Sequence, residues 1–160
     1  MANYKIISQV SAHLIKQLKS TLVPNIIRND GDIGLSSEYS QLNHVLSVVL
    51  YDIVKLDPTL YKLNNPNDLV LGLDYMFAAE SKEDANFRPI IEQEILGAVL
   101  SLFNNADLFV LPAQSLPIRI TLTNISFEDK TKMQLKSPAL YYQAAPIIIS
   151  AATENLPRIL

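Results

Sequence analysis

Two apolar runs constrain this chain more than anything else in it. The first lies near His44 to Val54, where Val45, Leu46, Val48, Val49, Leu50, Tyr51 and Ile53 leave no consistently polar side. Successive strand residues point to opposite faces, so a run apolar in both phases needs cover on both. The second covers Leu69 to Ala79, with Leu69, Leu71, Leu73, Tyr75 and Phe77 in one phase. Both predict buried strands. Asp57-Pro58 stops the first, and Asn64-Asn65-Pro66-Asn67-Asp68 makes a turn before the second.

Helical spacing surrounds these strands. Ile7, Val10, Leu14, Leu18 and Leu22 recur at three- and four-residue steps and predict a helix over Tyr4 to Leu22, ended by Pro24. A second helix is expected over Asn86 to Phe103, with Asn86 as N-cap and Pro89 in its first turn. Its predicted apolar stripe is Ile91, Ile95, Ala98 and Leu102, and Glu92 and Glu94 fall on its solvated start. Gly97 lies mid-helix, which suggests close packing against another backbone.

The segment Asn29 to Glu38 reads as a turn-rich linker. Leu116 to Thr123 alternates as a half-exposed strand. Ser126 and Asp129 have capping-box spacing and open a short helix to about Leu135. Leu140 to Ile149 is the last strand, and Pro146 within it implies an edge position or a bulge. The expected fold is α/β in the α+β sense. It is a single domain, with a mixed sheet of about four strands packed against two long helices plus one short helix. A chain of 160 residues buries roughly 68–70% of its unfolded surface, enough for one core.

Chemistry is hard to place on this sequence. It has no cysteine, which excludes disulfides, thiolate nucleophiles and cysteine-based metal sites. Its four glycines form no phosphate loop and no nucleophile elbow. His13 and His44 have no further ligands at metal spacing; His13 reads as a boundary residue and His44 as a surface or boundary residue, so neither a metal nor a cofactor is expected. Asp52 and Asp74 stand inside apolar strands. Each is either a buried acid–base group or a carboxylate that points to a sheet end or pairs with lysine or arginine. A net charge of −3 argues against a dedicated nucleic-acid binder. The apolar run Ala144 to Ile149 is far short of the roughly 18 residues a membrane span needs, and Met1 to Lys5 leads into an amphipathic stretch rather than a signal sequence. Synthesis in the cytoplasm without direct membrane insertion is the expectation.

Tyr141 and Tyr142 are adjacent in the last strand and must face opposite sides, one to the core and one to the surface. An exposed tyrosine on an edge strand fits a subunit interface.

The paired runs Leu46-Ser47-Val48-Val49-Leu50-Tyr51-Asp52-Ile53 and Leu69-Val70-Leu71-Gly72-Leu73-Asp74-Tyr75-Met76-Phe77-Ala78-Ala79 resemble the strands of the tube-terminating cap family of extracellular contractile injection systems. Glu94 to Phe103, with its Leu96-Gly97 pair, resembles the family's helix, and Lys132 to Tyr142 its short helix and Ser-Pro/Tyr strand. The family often carries a tryptophan in the short helix, and Met133 stands close to that place. The resemblance covers Ile6 to Ile149. It implies a structural, non-enzymatic cap: a hexameric ring that contacts the inner tube protein and the sheath protein, in a particle that is released or held at a membrane. Residues 1–152 would form the cap domain and residues 153–160 a C-terminal tail. The interface candidates are Tyr141, Tyr142, Pro146, Ile148, Leu156 and Arg158. A tail-completion protein of a contractile phage or prophage is the alternative, and an enzyme of unrecognised type the distant one.

Overall fold

The computed structural model describes residues 4–37, 42–105, 108–112, 114–133, 135 and 138–150. Helix α1 (Ile6–Leu22) buries Ile6, Val10, Leu14, Leu18 and Leu22, the stripe its sequence spacing demands. Burying each such side chain contributes about 1.5–3 kcal/mol. The helix ends where Pro24 can donate no N–H. Val23 N–H bonds the Lys19 carbonyl at 3.2 Å, and Ile26 and Ile27 N–H both reach the Leu22 carbonyl.

Among the described residues one six-stranded sheet carries the fold. Its strands are β1 (Ile33–Leu35), β2 (Leu46–Lys55), β3 (Leu69–Ala79), β4 (Leu108–Phe109), β5 (Ile118–Thr123) and β6 (Ala139–Ile149), in the order β1-β2-β3-β6-β5-β4. The β1–β2 pair is parallel and every other pair is antiparallel, so the sheet is mixed as expected. The four predicted strands are its long members. The two extra strands are short, and each lies at an edge. β1 falls in the segment read as linker. A Cβ at its Gly34 would lie 2.5 Å from the His44 ring, so a larger residue there would displace that ring.

Helix α2 (Arg88–Asn105) lies with α1 on one face of the sheet. Its buried side is Glu92, Ile95, Leu96, Val99 and Phe103, turned from the predicted stripe but sharing Ile95. The core between helices and sheet includes Leu46, Val48, Leu73, Tyr75, Phe77, Tyr142 and Ala144. Ser11 Oγ and the Tyr75 hydroxyl share a hydrogen bond of 2.7 Å, which ties α1 to β3. Burial pushes the Tyr75 phenol up to about 12, against the pull of the Ser11 bond.

Among the described residues, the opposite face is covered chiefly at one end. There α3 (Phe127–Met133) brings Met133 over Val49, Met76, Ala78 and Tyr141. Ser126 caps it as expected, its Oγ accepting from Asp129 N–H at 3.1 Å.

Of the two placements expected for Pro146, the bulge holds and the edge does not: β6 lies between β3 and β5, and Pro146 is accommodated where the β3–β6 register shifts between Leu71 and Leu73. The expectation for Gly97 is corrected. Gly97 does not meet a backbone, since it is exposed and a Cβ there would have nothing within 4 Å. Gly97→Ala is therefore expected to stabilise the protein by about 0.8–1 kcal/mol in urea unfolding. A loss of stability would show that the glycine is needed where no contact explains it.

Candidate interaction surface

The sheet face opposite the two long helices carries two facing carboxylates. Asp52 on β2 and Asp74 on β3 are direct cross-strand partners there. Asp74 accepts a hydrogen bond from Gln143 Nε2 at 2.9 Å, and exposed Asp52 accepts from Ile53 N–H at 2.9 Å. The partners are thus an amide and a backbone group, and neither is the lysine or arginine that was one of the expected alternatives. Burial raises the Asp74 carboxyl above the ordinary aspartate range. The Gln143 bond pulls it back, and the charge of Asp52 adds to the rise. Tyr51 stands edge-on to Tyr141 at 6.0 Å. Burial first, and then the nearby Asp74 charge, push its phenol up to about 12, so it stays protonated at neutral pH.

Like charges directly opposed on a sheet are unfavourable. Asp74→Asn keeps an acceptor for Gln143 and removes one charge. It is expected to stabilise the fold at neutral pH by roughly 0.5–1 kcal/mol. The folded state binds the Asp74 proton more tightly than the unfolded chain does. Stability therefore falls as pH rises from the ordinary aspartate range through the raised folded value. The gain should vanish below that window, which paired thermal melts at acid and neutral pH would detect.

The predicted interface residues scatter. Tyr141 and Tyr142 do face opposite sides, but both are buried, because both sheet faces are covered at that end. Tyr141 lies under α3, its hydroxyl 3.7 Å from Met133 Sδ, and Tyr142 packs against Phe77 and Phe103. The exposed tyrosine expected from the sequence is therefore absent at this pair. Ile148 is also buried. Pro146 lines an open cleft of about 410 Å³ with Tyr61, Pro117, Arg119 and Gln143. Leu156 and Arg158 lie outside the described residues. His13 is a boundary residue as expected, stacked on Phe109 at 4.3 Å, and its pKa is lowered by burial and then by Lys16.

Two polar residues matter more than the sequence indicated. Gln114 Nε2 donates to the carbonyls of Leu116 and Pro146 at 2.9 and 2.8 Å, and its Oε1 accepts from Ile148 N–H at 2.9 Å. One side chain thus serves the stretch of β6 beyond the reach of β5. The available signal was Pro146, whose bulge leaves backbone groups needing other partners. Glu92, placed by the sequence on a solvated helix start, is instead only 7% exposed. Its Oε2 accepts from Ser81 N–H at 2.8 Å and holds the loop that leaves β3. Glu94 is exposed, as expected.

Among the described residues no group of three His, Asp or Glu side chains could hold a metal ion, and no helix is long and apolar enough to cross a membrane. Further clefts of about 320 and 350 Å³ lie beside Gln114 and beside Ile91. Neither Asp52 nor Asp74 lines any of the three.

These features define a single α+β domain, with a largely antiparallel sheet backed by two helices on one face and by the short helix at one end of the other. The same fold occurs in a solved structure, the sheath/tube terminator of an extracellular contractile injection system (PVC) in its extended state, determined by cryo-electron microscopy. The match has a TM-score of 0.55 at 13% identity and covers 96% of this chain. The chain spans 64% of the length of that terminator. At this identity the likeness establishes the fold alone. No protein-family model and no curated protein sequence matches.

Proposed function

We propose that this chain is a structural cap that terminates the inner tube and sheath of a contractile injection system. The observation that carries this reading is a terminator fold spanning 96% of the chain. In this reading the chain acts without catalysis, as a hexameric ring assembled in the cytoplasm, and the particle it completes is released or membrane-associated. Its partners are further copies of itself, the inner tube protein and the sheath protein. A ring cap offers one rim that matches the tube and another that cannot template further growth. Residues 1–152 form the cap domain. The tail, residues 153–160, supplies the contacts Leu156 and Arg158, and Pro146 supplies a third beside its cleft.

The test is the length distribution of particles by negative-stain electron microscopy, with and without the gene. Overlong or ragged tubes and sheaths on deletion support the cap. Particles of normal length with closed ends would exclude it.

A further inference from the structure

The two outer flanks of the sheet are each half covered, at opposite ends. Among the described residues, β1 pairs only with Leu46, Ser47 and Val48 of β2. Among the described residues, β4 pairs only with Ile118 and Arg119 of β5. This leaves residues 50–55 of β2 and residues 120–123 of β5 without an outer neighbour among the described residues. Unpaired strand edges template the addition of another strand.

The ladder fixes what each open edge offers. Leu56 N–H donates to the Val70 carbonyl, so Val54 turns its backbone groups inward while Ile53 and Lys55 turn theirs outward. The same alternation, carried from Val70 through Leu73–Ala144 to Gln143–Thr121, leaves the Leu122 groups outward. Side chains agree with backbone. Ile53 and Leu122 are exposed large apolar residues, at 46% and 52%. Ile53 pairs with Leu73 and Leu122 with Tyr142, both members of the main core, so both point to the helix-covered face. Direction agrees as well. Three antiparallel steps separate β2 from β5, so two copies in the same orientation bring these edges together antiparallel.

We infer that copies of this chain join edge to edge, with residues 52–55 of β2 in one copy pairing antiparallel with residues 120–123 of β5 in the next. Ile53 then lies opposite Leu122, and Val54 opposite Thr121. This rests on the ring reading above and names the contact that builds the ring. Within one copy Ile53 is level with Leu73, Ala144 and Ile120, so the joint displaces neighbours by two residues along the strand, roughly 7 Å. That displacement carries β4 past the end of the neighbour's β2 and leaves β1 below the joint. Unstaggered edges would drive β4 into Val54 and Lys55. Strand tilt absorbs such a stagger in a closed assembly. In the lone chain the Ile53 N–H is held by Asp52 Oδ1 at 2.9 Å, and in the joint it exchanges that acceptor for the Leu122 carbonyl.

The absence of native cysteine makes the joint directly testable. Val54 and Thr121 would form a non-hydrogen-bonded pair with Cα atoms about 4.5 Å apart, within disulfide reach. Within one copy β3 and β6 hold them about 14 Å apart. Mild oxidation of the full chain carrying V54C and T121C together should give a ladder of reducible oligomers, and each single variant should give none. L122K, a change at an exposed side chain, should keep the monomer's unfolding curve and lose the oligomers. Dimers from V54C alone would overturn the inference in favour of β2 meeting itself. A ring seen by light scattering without cross-links in the double variant would overturn the joint and leave the cap intact. A chain monomeric by scattering and free of cross-links would also overturn the joint, and particle length would then decide the cap separately.

Discussion

Replacing Phe77 with alanine is expected to cost the fold about 3–5 kcal/mol. Phe77 is fully buried near the end of β3, two residues before Ala79, and its ring lies 5.6 Å from that of Phe103 and 5.3 Å from that of Tyr142. Phe103 and Tyr142 are themselves 5.4 Å apart, so the three rings close on one another. They join α2, β3 and β6, and truncation of the central ring leaves a void with walls on separate elements. Such walls relax only partly, which adds a cavity penalty to the lost transfer energy. An aromatic pair in edge geometry contributes roughly 0.5–1.5 kcal/mol beyond its buried area, and the edge contact with Tyr142 would go together with the tilted contact to Phe103. Set against a total stability of about 5–15 kcal/mol, the loss brings the chain near its folding limit. Urea unfolding followed by circular dichroism measures it. A cost below about 1.5 kcal/mol would mean that the cluster is looser than its geometry.

Gln114→Ala should be the next most damaging change, at about 2–3 kcal/mol. The side chain is only part-buried, but it makes three hydrogen bonds to backbone, with the carbonyls of Leu116 and Pro146 and the N–H of Ile148. Alanine removes all three. Gln114→Glu keeps an acceptor for Ile148 N–H but sets a carboxylate oxygen against the carbonyls of Leu116 and Pro146, so it should also destabilise the fold. Amide hydrogen exchange at Ile148 separates the cases: it should accelerate in the alanine variant and much less in the glutamate variant. Unchanged exchange in both would show that the bulge is held by other means.

The elements that could be read from the sequence are those whose burial is set locally. α1 displays its stripe at every turn, and β2 and β3 are long runs whose apolar content admits few other structures. The predicted limits Leu69 to Ala79 match β3, and Ser126 caps α3 as its spacing indicated. β1 and β4 were not readable, because three and two residues carry no periodicity and exist as strands only through their partners β2 and β5. The place of β6 is a long-range property. Pro146 marks a bulge or an edge equally well, and only pairing with both β3 and β5 decides between them. The interface candidates suffered from the same ambiguity. The Tyr141–Tyr142 alternation was right, yet which faces are covered depends on where α2 and α3 pack. Glu92 was misplaced because its burial depends on Ser81, whose N–H arrives from the end of another element.

The central position of β6 also orders events in time. Leu69 pairs with Ile149, and β6 fills the gap between β3 and β5. As the ribosome releases the chain from its N-terminus, β3 and β5 emerge first, each with an unsatisfied inner border. Closing the sheet waits for the last of the six strands, and such distant pairing is slow to find. Until then the nascent chain carries two sticky ladders, the condition under which partly made proteins aggregate or recruit chaperones. A message cut short before Ala139 would therefore yield no smaller version of this domain, only a chain unable to close.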